Sequence, residues 1–321
     1  MKEGESAVKI ETRTSWQKVK GSVVEALPVA LKTGWWLIRL IIPVSLAVTL
    51  LKFFGILAIL SNFLTPLFSL IGLPGEAALV FLTSIFLNIY SAIAVITSLP
   101  FSGREVAILA VMCLIAHNLI VETAVQKKTG SKVWEMLAVR LGFSILAGLV
   151  LNLIMPETIG HAIKQSTLAD ESSLLLVLAG WAKSSAFLSI KIILLVSGLM
   201  ILQRLLQAFG VLAILSAGFK PILKPFGLPG RTSFLFLVAN VLGLAYGSAV
   251  MMEETAKGSL SREEADLLNY HVAISHSNLE DVLLFVAIGA PALWLLLPRL
   301  FLAAVTVWGA RLFKYRNHKF D

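Results

Sequence analysis

Residues 54–61 read Phe54-Gly-Ile-Leu-Ala-Ile-Leu-Ser61, and residues 209–216 read Phe209-Gly-Val-Leu-Ala-Ile-Leu-Ser216. The two stretches are 155 residues apart (209 − 54), and Gly72-Leu-Pro-Gly75 recurs at the same offset as Gly227-Leu-Pro-Gly230. An internal duplication of this size in an apolar chain is typical of membrane transporters built from two repeats. Such folds usually place their binding site where the repeats meet.

A second pair of blocks continues the duplication. Ser102-Gly-Arg-Glu105 corresponds to Ser261-Arg-Glu-Glu264, and His117 corresponds to His276, both at an offset of 159 (261 − 102 and 276 − 117). The second copy has therefore gained four residues between the two pairs of blocks. Both four-residue blocks fit the S-x-x-E capping box, which predicts that a helix begins at each.

The composition excludes a soluble protein. The chain is 57% hydrophobic and 14% charged, whereas soluble domains carry about 25% charged residues. Its single cysteine, Cys113, excludes disulfides and thiolate metal cages. No apolar run occupies the first 20 residues, so we expect no cleavable signal peptide. The net charge of +8 is better explained by membrane orientation and anionic lipid than by nucleic acid.

Eight apolar segments, four in each half, are predicted to be helices in the membrane. They are Trp35–Asn62, Ala77–Leu99, Arg104–Val125 and Val133–Met155, then Phe187–Ala217, Ser233–Met252, Arg262–Ile288 and Ala292–Leu312. A weaker helix precedes each half, at Trp16–Leu31 and Ser173–Lys183, and the first has a spacing that suits the membrane interface.

Loop charges predict that the second repeat is inverted. Each half has one loop that is rich in lysine and arginine, but the two loops are not at equivalent positions of the repeat. They are residues 127–132 in the first half and residues 220–231 in the second. Because basic loops favour the cytoplasm, both termini are expected to be cytoplasmic and residue 160 external. Each half must then cross an odd number of times. We expect about three crossings per half plus one re-entrant hairpin or broken helix, at 77–99 and 233–252. The alternative is eight plain spans in parallel repeats.

Polar groups within apolar segments are candidate functional residues, because they are costly in a bilayer. They fall at corresponding places in the two halves. The candidates are Asn88, Tyr90, Ser91, His117, Asn118 and Glu122, then Asn240, Tyr246, Ser248, Glu253, His276, Ser277, Asn278, Glu280 and Asp281.

Three interpretations of these groups stay open. Amides and hydroxyls can join helices, which is favoured for Asn88, Ser91, Asn152 and Asn240 taken singly. Alternatively the groups form a site for a polar solute, with hydrogen-bonding groups for ribose hydroxyls and a base edge and with aromatic side chains for stacking. A third interpretation is a transition-metal path, since six of the residues offer nitrogen or oxygen ligands: His117, Glu122, His271, His276, Glu280 and Asp281. The chain has no Walker motif and no recognisable nucleophile–base arrangement, so we do not expect an enzyme and expect no cofactor.

The Gly-Leu-Pro-Gly blocks, His117-Asn-Leu-Ile-Val-Glu122 and His276-Ser-Asn-Leu-Glu-Asp281 resemble the nucleoside-recognition or Gate domain, in two copies at about residues 35–155 and 187–312. That domain recurs in concentrative nucleoside transporters, in the membrane part of ferrous-iron transporter B and in spore maturation proteins A and B. The resemblance implies an inverted-repeat core with re-entrant elements. It also implies that the functional positions of the family correspond here to His117, Asn118, Glu122, His276, Ser277, Glu280 and Asp281. Within these 321 residues we expect neither the GTPase domain of the iron transporter nor the extra helices of the nucleoside transporters.

The sequence therefore predicts an all-α, multi-pass protein of the bacterial inner membrane that carries or binds a nucleoside-like polar solute where the repeats meet. The alternatives are a divalent-metal permease and a non-transporting scaffold of the spore-maturation type. The expected partners are the bilayer and the solute, with a homodimer left open and no nucleic acid. The predicted regions are an N-terminus with an interfacial helix (1–33), repeat 1 (34–156), an external linker with a second interfacial helix (157–186), repeat 2 (187–313) and a basic tail (314–321).

Overall fold

The computed structural model describes residues 14–159, 173–316 and 320, and within them the chain folds into helices without a β-strand. Residues 1–13 of the predicted N-terminal region, residues 160–172 of the predicted linker, and residues 317–319 and 321 of the predicted basic tail lie outside the described residues. The helices of the first half are α1 (Ser15–Phe53), α2 (Ile56–Phe68), α3 (Ala77–Phe86), α4 (Ile89–Thr97), α5 (Gly103–Ala116), α6 (Leu119–Lys128) and α7 (Val133–Ile154).

The second half repeats this order of helices. Its members are α8 (Leu174–Ala208), α9 (Val211–Leu223), α10 (Ser233–Val241), α11 (Leu244–Ala256), α12 (Arg262–Ile274), α13 (Glu280–Ala287) and α14 (Ala292–Phe313). By length and composition, five described helical stretches can cross a membrane, and one of them, Gly103–Lys128, is formed by α5 and α6 together. The other four are Ser15–Phe53, Val133–Ile154, Leu174–Ala208 and Ala292–Phe313. The predicted all-α polytopic membrane class is confirmed.

Local backbone conformations recur at the offsets read from the sequence. Gly72 and Gly227 both adopt the left-handed region, with φ of 72° and 71°, because the chain turns there after α2 and α9. The two predicted capping boxes are both present. Ser102 accepts from the N–H of Glu105, and Ser261 accepts from the N–H of Glu264, as expected for helix starts.

The weaker helices predicted ahead of each half are not separate elements. Residues 16–31 form the first part of the 39-residue α1, and residues 173–183 lead into the 35-residue α8. Helix α1 continues through Pro28, Gly34 and Pro43, and each long helix ends only at a left-handed glycine, Gly55 or Gly210. The predicted segments 35–62 and 187–217 are therefore each split toward their C-terminal ends.

The two long helices pack along each other. A Cβ atom on Gly34 of α1 would lie 3.1 Å from Ile193 of α8, so the glycine permits the close approach of the two helices. The indole N–H of Trp181 donates to Ser45 Oγ at 3.1 Å across the same contact.

Helix α5 forms the centre of the protein. Its residues from Val106 to Ala116 are completely buried, and helices α3, α4, α7, α12, α13 and α14 all contact it. Helix α7 packs on α5, and α14 packs on α12, so each half places one long apolar helix against a broken one. This arrangement holds the breaks in α5–α6 and α12–α13 in the interior.

Besides the splits at Gly55 and Gly210, four of the predicted segments are interrupted, where the sequence predicted two such breaks. Segments 77–99 and 233–252 are broken helices, interrupted at Asn88 and at Gly243. Segments 104–125 and 262–288, predicted to be continuous, break after Ala116 and after Ile274. The second pair of breaks positions the candidate site.

Candidate functional site

Each of the two central breaks passes through one left-handed residue. Asn118 and Ser277 both have a φ of 48° and are the only described non-glycine residues with a positive φ. This conformation costs about 1–2 kcal/mol for an L-residue, so tertiary contacts must maintain it. The N–H of Asn118 donates to Ser84 O at 2.8 Å, and the N–H of Ser277 donates to Ala239 O at 3.1 Å. The interruptions in α3–α4 and α10–α11 thus lie beside the central ones.

A buried arginine closes each central break. Arg140 of α7 donates from Nε to Ile115 O at 2.8 Å and from Nη2 to His117 O at 2.6 Å. Arg299 of α14 makes the equivalent contacts, to Ile274 O at 3.1 Å and to His276 O at 2.8 Å. Both side chains are fully buried. Each guanidinium therefore satisfies the carbonyl groups that the end of the helix leaves unpaired.

These arginines were not identified as functional from the sequence. Arg140 has no exposed surface, so it does not extend to a membrane interface as a charged side chain in an apolar helix often does. Arg299 was not singled out. The repeat offset of 159 contained the signal, since 140 + 159 = 299.

The two breaks bring four ionisable side chains into one cluster, which we call the central cluster: His117, Glu122, His276 and Asp281. His117 Nε2 lies 3.2 Å from Glu122 Oε1 and 3.5 Å from Asp281 Oδ2. His276 Nε2 lies 3.2 Å from Glu122 Oε2, and the two imidazole centroids are 5.2 Å apart. None of the four residues is more than 9% exposed. The cluster contains two residues from each half.

The tautomer of both histidines follows from their backbone contacts. Nδ1 of His117 lies 3.1 Å from Cys113 O, and Nδ1 of His276 lies 2.6 Å from Val272 O. A carbonyl oxygen only accepts, so each Nδ1 carries a hydrogen, and in its neutral form each ring turns a bare Nε2 lone pair toward the carboxylates. With both rings neutral, the central cluster is rich in acceptors and poor in donors.

Only one carboxylate of the cluster has a direct cationic partner. Arg140 Nη2 lies 2.7 Å from Glu122 Oε2. Arg299 instead directs its remaining donor, Nη1, to Asn278 Oδ1 at 2.9 Å. Among the described residues, the buried atoms His276 Nε2 and Asp281 Oδ2 have no hydrogen-bond partner.

Further candidate residues adjoin the central cluster. Tyr90 of α4 donates to Glu280 Oε1 at 2.5 Å, which joins the break of the first half to that of the second. Asn278 donates from Nδ2 to Asn240 Oδ1 at 2.6 Å and to Ser275 Oγ at 2.9 Å. The structure therefore brings together eight of the side chains that the sequence nominated: Tyr90, His117, Glu122, Asn240, His276, Asn278, Glu280 and Asp281.

Asn118 and Ser277 contribute to this region through the backbone. Neither shares a helix face with the acid four residues further on, because each residue forms the left-handed break itself. Each instead accepts at its carbonyl oxygen from the N–H of the acid, Glu122 at 3.0 Å and Asp281 at 2.9 Å.

Other candidates have local environments of their own. Asn88 caps α4 by accepting from the N–H of Ser91 at 3.0 Å, and the Ser91 side chain is fully buried. Glu253 is exposed and pairs with Lys257 at 2.7 Å on the next helical turn. Tyr246 is half exposed and Ser248 is buried. His271 lies between two phenylalanine rings, whose centroids are 4.9 Å and 5.6 Å from its own, and is not part of the central cluster.

A second polar cluster, at one end of α7, α12 and α14, was not expected from the sequence. Lys314 donates to Glu135 Oε2 at 2.5 Å and to Asp266 Oδ2 at 2.8 Å, and Tyr315 donates to Asp266. Burial by itself would lower the pKa of Lys314, but the hydrogen bonds to the two carboxylates outweigh it and raise that pKa. This cluster joins the first half to the C-terminal end of the second.

Comparison with known proteins places the chain in a family. The model of the family described as Gate, nucleoside recognition, matches residues 35–131. An uncharacterized membrane protein of Bacillus subtilis (strain 168), YvoD, is 33% identical over 284 residues, which cover 88% of this chain and 91% of that protein. The chain belongs to the nucleoside-recognition family. The family match includes α5 and the first central break, and no solved structure matches the chain significantly.

Proposed function

We propose that this member of the nucleoside-recognition family is a secondary permease of the bacterial plasma membrane, and that its cargo is a nucleoside-like polar solute. The observation that carries the proposal is the meeting of two equivalent helix breaks, one from each half, at a buried cluster of ionisable groups. Transporters commonly form their binding sites from discontinuous helices at the contact between repeats. Ionisable groups inside membrane proteins usually mark a transport path.

The acceptor surplus of the central cluster supports a solute that is rich in donors. With both rings neutral, two bare Nε2 atoms face two carboxylates, and Asp281 Oδ2 makes no conventional hydrogen bond among the described residues. A ribose offers hydroxyl donors, and a nucleobase adds N–H groups. The four groups contact one another directly, so the two halves must separate for such a solute to enter. The alternation between a closed and a separated arrangement is the motion that a permease requires.

The neighbouring amide and phenol groups extend this proposed site. Asn240 and Asn278 form a pair with both donor and acceptor capacity, which suits the edge of a base. Tyr90 and Glu280 lie on the path between the two halves. We assign the solute to these four residues together with the central cluster.

The proposed orientation follows the loop charges. Repeat 1 (34–156) and repeat 2 (187–313) would be inverted relative to each other, with three crossings each and both termini in the cytoplasm. The interrupted helices at 77–97 and 233–256 would be the re-entrant elements. The proposal includes no catalytic step.

Ligand binding tests the proposed function. Purified protein in detergent is melted with adenosine, guanosine, uridine, thymidine or ribose, always in the presence of a chelator. A ligand at 100 times its dissociation constant adds about 2.7 kcal/mol of stability, which raises the melting temperature measurably. We expect a saturable rise with at least one nucleoside, lost in Glu122→Gln and Asp281→Asn.

Asp266→Asn provides the matched control, since Asp266 is a buried acid outside the proposed site. This variant should keep the rise. A cooperatively melting protein that none of the nucleosides stabilises would contradict the permease and favour a membrane scaffold.

A further inference from the structure

The central cluster also has the composition of a metal site. His117, His276 and Asp281 each offer one ligand atom, and these atoms lie within 4.8 Å of one another. Imidazole nitrogen and carboxylate oxygen together suit divalent transition metals such as Zn²⁺, Co²⁺ and Fe²⁺. The three residues come from both halves of the chain, so only the folded protein assembles them.

The distance between two of these ligand atoms, and the distances from Glu122 to both imidazoles, are close to those of a coordination shell. With metal–ligand bonds of about 2.05 Å, neighbouring ligands of a tetrahedral site are about 3.3 Å apart. His117 Nε2 is 3.5 Å from Asp281 Oδ2, and contacts of 3.2 Å join Glu122 to both imidazoles. Small displacements of the side chains would therefore bring the ligands to bonding distance.

The backbone presents the two histidines as ligands. The carbonyls of Cys113 and Val272 hold the hydrogen of each ring on Nδ1, which leaves Nε2 free to bind a metal. A hydrogen bond from the second ring nitrogen to a carbonyl is the usual support for a metal-binding histidine.

Unpaired atoms provide an independent sign of a ligand. His276 Nε2 and Asp281 Oδ2 are buried and make no conventional hydrogen bond among the described residues, and their nearest polar neighbours are Glu122 Oε2 at 3.2 Å and His117 Nε2 at 3.5 Å. A buried acceptor without a donor is costly, and a cation between these two atoms would remove that cost. Arg140 is directed at Glu122, and Arg299 donates to backbone carbonyls and Asn278. Asp281 is thus the carboxylate without an arginine contact.

We infer that His117 Nε2, His276 Nε2 and Asp281 Oδ2 bind one divalent transition-metal ion at the contact between the halves, with Glu122 beside the fourth position. The site uses three protein ligands and leaves one position for water or an incoming group, as in metal sites that exchange ligands. Because it needs residues of both repeats, the metal stabilises the closed arrangement. This inference stands without the proposed nucleoside transport.

Cobalt binding tests the site. The full chain, freed of its purification tag and of metal, is titrated with Co²⁺, and visible absorption from the d-electrons reports the ligand geometry. We expect one Co²⁺ per chain with the intense bands of a four-coordinate site, displaced by Zn²⁺. His276→Gln and Asp281→Asn should each weaken binding by more than about tenfold, since even supporting residues change metal affinity by that much.

The matched controls are His271→Gln and Asp266→Asn, which alter a buried histidine and a buried acid of the same half outside the cluster. Both should bind Co²⁺ as the unaltered chain does. Thermal melting of each variant without metal shows whether it folds, and His117→Gln replaces any variant that does not. Absence of intense bands in a cooperatively melting protein, or equal affinity in the ligand and control variants, would overturn the metal site.

Discussion

Replacement of Arg140 by methionine tests whether a buried arginine maintains the helix break. The substitution removes hydrogen bonds of 2.8 Å to Ile115 O and 2.6 Å to His117 O, together with the 2.7 Å ion pair to Glu122. Methionine retains most of the side-chain length but cannot donate. Removing one partner of a buried ion pair costs about 3–5 kcal/mol, because the remaining charge stays buried without compensation. We expect Arg140→Met to lower the free energy of unfolding by about this amount.

The measurement is reversible unfolding in mixed detergent micelles, followed by circular dichroism. The free energy of unfolding of Arg140→Lys should lie between those of the unaltered chain and Arg140→Met, since an ammonium keeps the charge but lacks the fork that spans both carbonyls. Arg39→Met is the matched control, because Arg39 is exposed and only stacks on Trp35, so a change within about 1 kcal/mol is expected.

A double substitution separates the ion pair from the backbone contacts. If Glu122→Gln is combined with Arg140→Met, the two costs should be non-additive by about 0.5–3 kcal/mol, as for residues in direct contact. A cost below about 1 kcal/mol for Arg140→Met, or full stability in Arg140→Lys, would refute the assignment of the arginine to the break.

Three further predictions concern the turn glycine, the end of the bundle and the topology. A Cβ atom at Gly72 would lie 1.9 Å from Asn152 Oδ1, and its φ of 72° disfavours any side chain, so Gly72→Ala should destabilise the protein by about 2–4 kcal/mol. Gly142→Ala, where a Cβ meets nothing within 4 Å, should raise stability by up to about 1 kcal/mol in the same unfolding assay. Burial opposes the shift, but the carboxylate partners of Lys314 raise its pKa in the folded state. The ammonium therefore stabilises the fold below the unfolded-state pKa of about 10.4, and this stabilisation is lost as the pH rises through the folded-state pKa. Melting between pH 9 and 11 should therefore show a steeper loss for the unaltered chain than for Lys314→Met. Single cysteines placed at 217–231 in a Cys113→Ser background should react with an impermeant reagent only from the cytoplasmic side, and labelling from outside alone would exclude the inverted arrangement.

Features encoded in local sequence were predicted well. The duplicated blocks located both turn glycines, and the two capping boxes located the starts of α5 and α12. These elements depend on residues three or four positions apart, so a single sequence contains the information. The proximity of His117 and His276 could also be predicted from the repeat, because the two residues occupy equivalent positions and the site was expected where the repeats meet.

The central breaks could not be predicted in the same way. Neither Asn118 nor Ser277 is a glycine, and α5 and α6 together read as one apolar helix. The breaks depend on donors far along the chain, such as Arg140, 23 residues after His117. The helix propensity of the residues around the break does not depend on such distant contacts, so it cannot predict them. The long α1 was divided in the prediction for the opposite reason, since a change in hydrophobicity was interpreted as a boundary where the backbone continues.

Uptake by proteoliposomes tests the central claim that one solute site is formed from both halves. Liposomes containing the unaltered protein should accumulate the nucleoside that stabilises it, as should liposomes containing Asp266→Asn. Glu122→Gln alters the cluster from the first half and Asp281→Asn alters it from the second, and either one should reduce uptake to the level of empty liposomes. Unchanged uptake by a folded form of either variant would contradict a shared site between the two breaks.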